Sequence, residues 1–113
     1  MLNLPKLLNI WLVLQYNHGE IIYEYDYSYG YYREKIIIRS VKLTKTHPYD
    51  VKYSLVLIDT RTGKRLVCFD NHHGKGHHFH RLEKEFSYDF IDAWQLVVDF
   101  YNEVEKVKTR FTE

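Results

Sequence analysis

The chain contains little of several residue types, and each scarcity excludes a class of protein. Its single cysteine, Cys68, excludes an internal disulfide bond and is typical of a reducing compartment. Two prolines and five glycines in 113 residues form no linker, so we expect one domain over residues 1–113. The net charge of +1 gives no overall field for a polyanion. Any contact with nucleic acid must therefore come from a local basic patch.

Long hydrophobic runs are also missing. The most apolar stretch, Leu7 to Leu14, is interrupted by Asn9 and is much shorter than the roughly 20 apolar residues that span a bilayer. No small-residue cleavage site follows this stretch, since the only alanine is Ala93. We therefore expect a cytoplasmic protein with no membrane partner.

The spacing of apolar residues predicts an α+β fold. A helix is expected at about 6–16, after Pro5, and a longer one at about 88–108, with Ser87 as its N-cap. Between them the period changes to two, which predicts strands at 20–29, 35–43, 51–58 and 65–70. We expect an antiparallel sheet of four or five strands, with the N-terminal helix and the long C-terminal helix packed on it.

Tyrosines alternate with polar residues along the first predicted strand, at positions 23, 25, 27 and 29. Aromatic side chains on a sheet can stack RNA bases, but tyrosines also pack well in half-buried strands. We favour the second interpretation, in which this face belongs to the core or to a contact between subunits. Small antiparallel domains with an exposed edge strand commonly dimerise, so we expect a homodimer.

The most informative segment is a cluster of histidines. Five of the seven histidines lie within the nine residues from His72 to His80, together with Lys75 between two glycines. Imidazole transfers protons near neutral pH and is the commonest neutral metal ligand. If the segment is extended, His78 and His80 share one face and His77 points the other way. Glycines on both sides of Lys75 leave backbone N–H groups free to approach a phosphate.

Three interpretations of this cluster are open. A catalytic site would use two histidines as general base and acid, while Lys75 or Arg81 stabilises a developing phosphorane, the chemistry that cleaves RNA at its own 2′-hydroxyl without a metal. A zinc site would bind through imidazole and carboxylate groups. Its candidate ligands are His78 and His80, with His72 or Asp70 as the third. The remaining interpretation is a solvated polar loop.

Several segments resemble the TumE family. They are Lys52-Tyr53-Ser54-Leu55, Phe69-Asp70-Asn71, the run from Gly74 to His80, Glu85-Phe86-Ser87-Tyr88 and Asp99-Phe100. Their order and spacing are similar to the family pattern over about residues 35–104. The resemblance implies a small prokaryotic toxin of a type II toxin–antitoxin pair, encoded beside a DNA-binding antitoxin.

The leading hypothesis combines the resemblance with the histidine cluster. The commonest activity of toxins in such pairs is RNA cleavage or another block of translation, which implies a ribonuclease-like toxin that needs no cofactor. The expected catalytic residues are His77, His78, His80 and Asp70. The expected substrate-binding residues are Lys52, Tyr53, Asn71, Lys75 and Arg81. The rival hypothesis is a non-catalytic module, in which the cluster holds zinc or a partner and the helix face around Trp94 binds an antitoxin segment or a second copy.

Overall fold

The computed structural model describes residues 22–40, 51–71 and 76–112. Within these ranges the chain forms six β-strands and one α-helix. They are β1 (Ile22–Tyr29), β2 (Tyr32–Ser40), β3 (Val51–Asp59), β4 (Arg65–Asp70), β5 (His78–Arg81), β6 (Lys84–Ser87) and α1 (Ala93–Thr112). The helix predicted at about 6–16 lies outside the described residues.

The six strands form one antiparallel sheet in which each strand pairs with the next along the chain. This arrangement confirms the α+β class and the antiparallel sheet, but the predicted number of four or five strands is wrong. β5 and β6 have four residues each, and so short a run gives only a weak alternating pattern. Within the described ranges the sheet ends at β1 and β6. The homodimer expected through such an edge stays a prediction.

The long C-terminal helix is confirmed, but it begins later than the sequence predicts. Ser87, the expected N-cap, is the last residue of β6 and pairs with His78. The N-cap is instead Asp92, whose Oδ1 accepts a hydrogen bond from the backbone N–H of Gln95 at 2.7 Å. Pairing in the β5–β6 hairpin satisfies backbone groups of Ser87 that the first turn of a helix would leave unpaired. The hairpin therefore delays the start of α1.

The core lies between α1 and one face of the sheet, called here the covered face. The buried residues of α1 recur at helical spacing: Leu96, Val97, Phe100, Tyr101, Val104 and Val107. They belong to one apolar cluster with buried residues of β2, β3 and β4: Ile36, Ile38, Leu55, Leu57, Val67 and Phe69. Through these buried residues, α1 packs against β3 and β4. Among the described residues, no helix is long and apolar enough to cross a membrane.

The tyrosines of β1 also lie on the covered face, because Tyr23 pairs with Ile38 and Tyr25 pairs with Ile36. Their rings form a row in which neighbouring centroids are 5.5 to 6.5 Å apart. Tyr23 is 4% exposed, whereas Tyr27 is 51% exposed. The interpretation of this face as core is therefore confirmed at Tyr23.

A carboxylate, that of Glu34 in β2, is buried in this core with 1% exposure. Its Oε1 accepts a hydrogen bond from the Tyr101 hydroxyl at 2.8 Å, and its Oε2 accepts one from the Tyr29 hydroxyl. Burial and the neighbouring carboxylate raise the pKa of Tyr101 and that of Tyr29. Both hydroxyls therefore keep their protons and supply the hydrogen bonds that a buried carboxylate requires.

Candidate functional site

Three neighbouring histidines are divided between the two sides of the sheet. Side chains alternate along β5, so His78 and His80 lie on the face opposite α1, called here the second face. His77 precedes the strand and contacts residues on the α1 side. His78 pairs with Asp70 of β4, and His80 pairs with Glu85 of β6. The antiparallel register therefore brings two imidazoles and two carboxylates together.

His78 has an acceptor oxygen beside each ring nitrogen. Its Nε2 lies 3.1 Å from Asp70 Oδ1, and its Nδ1 lies 3.2 Å from the carbonyl oxygen of Gly76. His78 is 8% exposed and Asp70 is 9% exposed. Gly76 has a φ of 70°, the left-handed conformation that a residue without Cβ adopts at least cost, and this turn brings its carbonyl group to the ring. The imidazole of His78 is therefore fixed in orientation.

Cys68 lies beside this pair and is a poor nucleophile. Its thiol donates a hydrogen bond to Asp70 Oδ2 at 3.6 Å. Burial, reinforced by the Asp70 charge, raises the pKa of the Cys68 thiol to about 11. Cys68 is 6% exposed and therefore fills a small buried position of β4.

His80 and Glu85 form the more open half of the cluster. The Nε2 of His80 lies 3.4 Å from Glu85 Oε1, and the two side chains are 40% and 59% exposed. The ring centroids of His78 and His80 are 5.3 Å apart. Glu85 is absent from the residues expected from the sequence, because its place depends on β6, the strand that was not predicted. A two-residue turn at 82–83 would have placed Glu85 opposite His80.

The same atoms could hold a metal ion. One ligand atom each from His78, His80 and Glu85 lies within 4.8 Å of the other two. Imidazole and carboxylate groups in this number match the ligands of a zinc site that keeps an open fourth position. Asp70 lies next to these three residues, because its Oδ1 is 3.1 Å from His78 Nε2. His72, a third ligand of the predicted zinc site, lies outside the described residues. Among the described residues, the group that could hold a metal ion consists of His78, His80 and Glu85.

His77 is held in an aromatic stack. Its Nδ1 lies 2.8 Å from the Tyr53 hydroxyl, and Phe90 stacks on its ring at 4.9 Å with an interplanar angle of 8°. Tyr53 is 2% exposed and stacks on the same two rings. Tyr53 was expected to bind substrate, but the structure places its ring against protein. Tyr53 orients His77 instead.

Asn71 is also buried, and its side chain makes hydrogen bonds with the backbone of β3. Its Oδ1 accepts a hydrogen bond from the N–H of Tyr53 at 3.0 Å, and its Nδ2 donates to the carbonyl oxygen of Val51 at 2.7 Å. Asn71 is 0% exposed, which removes it from contact with a large substrate. The amide continues the pairing of β3 one residue beyond the end of β4.

The predicted cations are separated by the sheet. Lys52 lies on the second face, like His78, and pairs directly with Arg39 of β2. Arg81 lies on the covered face, where its Nη1 lies 2.5 Å from Glu103 Oε1 of α1. The structure therefore does not bring Arg81 together with His78 and His80, since strand alternation turns it to the opposite side. Lys75 lies outside the described residues.

A cavity of about 420 Å³ lies at the β6 side of the cluster. Its lining residues are His77, His78, Glu85, Phe86 and Ser87. His77 reaches this cavity from the turn that precedes β5, although its ring stacks on the α1 side. His77 and His78 contact different sides of the sheet, but both line this cavity. A ligand in the cavity can therefore contact both.

The fold and this cluster define a small α+β protein whose site is made by cross-strand histidine and carboxylate pairs. The family model described as Toxin TumE matches residues 33–108. The chain belongs to this family of toxins of toxin–antitoxin pairs, which confirms the resemblance found in its sequence. Comparisons with curated proteins and with solved structures gave no match. The matched range includes β3 to β6 and all of β2 except its first residue, and thus the complete histidine and carboxylate cluster.

Proposed function

We propose that this toxin is a metal-independent endoribonuclease whose reacting groups are His78 and His80. The main support is the pair of imidazoles with ring centroids 5.3 Å apart, one buried against a carboxylate and the other open to solvent. General acid–base catalysis needs two such groups, one for each proton that moves. The cavity beside His77 and His78 provides space for a nucleotide.

The proposed reaction is attack of a ribose 2′-oxygen on the adjacent phosphorus. One imidazole takes the proton of the 2′-hydroxyl, and the other gives a proton to the 5′-oxygen as the P–O bond breaks, which leaves a 2′,3′-cyclic phosphate. Asp70 holds His78 in the required orientation. His77, oriented by Tyr53, borders the same cavity and contacts the substrate there.

Phosphate contacts come from the second face. Lys52 and Arg39 are directly opposite each other on neighbouring strands, an arrangement that costs stability unless an anion lies beside it. Because side chains alternate, Lys52 lies on the same face as Ser54, which pairs with Asp70. An RNA backbone bound at the two cations therefore reaches the histidines. Lys75 keeps its predicted role as a phosphate ligand.

The test compares His80→Ala and His78→Ala with His47→Ala, a matched change of a histidine outside the sequence segment from His72 to His80. We expect either site variant to lose RNA cleavage by about a hundredfold or more in the presence of a chelator. We also expect both to lose growth inhibition while His47→Ala keeps it. Circular dichroism checks that each variant is folded. Full toxicity of both site variants would contradict the proposal.

The second candidate function is a zinc-binding module, and the observation that favours it is the ligand set of His78, His80 and Glu85. On this hypothesis the purified protein contains stoichiometric zinc, which His80→Ala and Glu85→Gln both remove. Zinc is measured by elemental analysis of the purified protein. A metal-free protein that cleaves RNA in chelator would exclude this candidate in favour of the ribonuclease.

A further inference from the structure

A second cavity, of about 590 Å³, lies at the hairpin end of β5 and is called here the basic cleft. One wall is the start of β4 with the residue before it, and the other is the β5–β6 turn. The backbone N–H of Leu82 donates a hydrogen bond to the carbonyl oxygen of Leu66 at 2.8 Å. This bond ties the two walls together, so the cleft is formed before any ligand arrives.

The cleft is positively charged. Of the described residues that line it, four are cations, Lys64, Arg65, Arg81 and Lys84, and one is a carboxylate, Glu83. Arg81 also has the buried carboxylate of Glu103 beside it, and that carboxylate accepts a second hydrogen bond from Lys106 at 2.8 Å. Among the described residues, the carboxylates around the cleft therefore do not balance its cations. Such an excess attracts a negatively charged ligand.

The cleft also has an apolar part, because Leu66 and Leu82 are among its lining residues. Leu82 has a φ of 58°, a left-handed conformation that a leucine adopts only at a cost. Two-residue turns between antiparallel strands favour asparagine, aspartate or glycine at such positions. The chain thus keeps a large apolar side chain at a turn position where a smaller residue would be less strained. This side chain packs against the core and also borders the cleft.

We propose that the basic cleft binds an acidic segment of the partner antitoxin that contains an apolar side chain. The carboxylates of this segment contact Lys64 and Lys84, and the apolar side chain packs against Leu66 and Leu82. A buried apolar anchor with a charged rim is the usual construction of a protein–protein contact. The proposal rests on membership of a toxin family and not on the ribonuclease chemistry.

Two observations favour an acidic peptide over RNA at this cleft. Arg81 and Lys84 are directly paired and lie on the covered face, while His78 and His80 lie on the second face. RNA bound by these two cations would therefore lie on the side of the sheet away from the reacting groups. The leucines offer nothing to a phosphate backbone, which is bound by cations and hydrogen-bond donors. They do complement a leucine or similar side chain.

The experiment titrates the whole protein into a short fluorescein-labelled peptide in which one leucine is flanked by glutamates, with fluorescence anisotropy as the readout. Lys64→Glu combined with Lys84→Glu reverses the rim, and Leu82→Gly removes the apolar wall while relieving the turn. Lys35→Glu, on β2 and outside the cleft, is the matched charge control. A single-stranded RNA of the same length is titrated in parallel.

We expect the double variant to weaken peptide binding by about tenfold or more, and Leu82→Gly to weaken it several-fold, while Lys35→Glu binds like the unchanged protein. Absence of peptide binding, or equal loss in Lys35→Glu, overturns the proposal. RNA binding that the double variant abolishes while peptide binding persists also overturns it and assigns the cleft to RNA. Because the peptide titration contains no RNA, its result stands whether or not the protein cleaves RNA.

Discussion

The change Tyr101→Phe tests whether the buried carboxylate of Glu34 depends on tyrosine hydroxyls. The hydroxyl of Tyr101 donates to Glu34 Oε1 at 2.8 Å, and the two residues are 4% and 1% exposed. Phenylalanine keeps the ring and leaves no cavity, so the change removes the hydroxyl and with it the hydrogen bond to Glu34. Hydrogen bonds to charged groups contribute about 1.5–3 kcal/mol. We expect the free energy of unfolding to fall by about 2 kcal/mol.

Urea denaturation followed by circular dichroism measures this loss, which should lower the midpoint and leave the slope m unchanged. In thermal denaturation the same loss lowers Tm by about 8 °C for a domain of this size. Tyr31→Phe is the matched control, because Tyr31 is 59% exposed and its ring contact with Arg61 survives the change. Tyr29→Phe should cost less than Tyr101→Phe, because Tyr29 is less completely buried.

The reasoning would be refuted if Tyr101→Phe and Tyr31→Phe had the same stability. A refined test combines Tyr101→Phe with Glu34→Gln. If the hydroxyl acts through the carboxylate, the two changes together should cost less than the two separate costs added. Fully additive costs would show that the hydroxyl stabilises the protein through some other contact.

Two further predictions concern the helix terminus and the alkaline range. Asp92→Ala removes the N-cap of α1 and should lower stability by about 1 kcal/mol in thermal denaturation, whereas Asp89→Ala, before the helix, should change it little. Burial raises the pKa of Tyr23 from 10.0 to about 12 and that of Cys68 from 9.0 to about 11. Both groups hold their protons more tightly when folded, so the stability they contribute is complete below pH 9 and is lost as the pH rises to about 12. Urea midpoints measured between pH 8 and pH 12 should therefore decrease, and constant midpoints would contradict this assignment.

The sheet and the helix were predictable where their patterns are long. The alternation along β1 and the helical spacing of Val97, Tyr101 and Val104 each depend on local geometry, so the sequence shows them directly. The start of α1 was not predictable in this way. Ser87 and Asp92 are both good N-caps, and only the pairing of Ser87 in β6 decides between them. Competition for backbone hydrogen bonds is a tertiary effect.

The candidate site was also predictable in part from the sequence and in part only from the tertiary structure. The spacing of His78 and His80 predicts a shared face, and the structure places them there. Glu85 could not be chosen among the acidic residues of the chain without the register of the β5–β6 hairpin. Arg81 is next to His80 in sequence, yet strand alternation puts it with Glu103 on the other side of the sheet.

The sequence by itself determined the family, the fold class and the place of the histidine cluster, because order, spacing and periodicity are properties of the chain. The tertiary structure decided which residues meet. It buried Asn71 and Tyr53 in the scaffold, joined Asp70 to His78, and added Glu85. The physical reason is that contacts between strands depend on register. A shift of one residue in register turns every side chain to the opposite face, and distant pairings set that register.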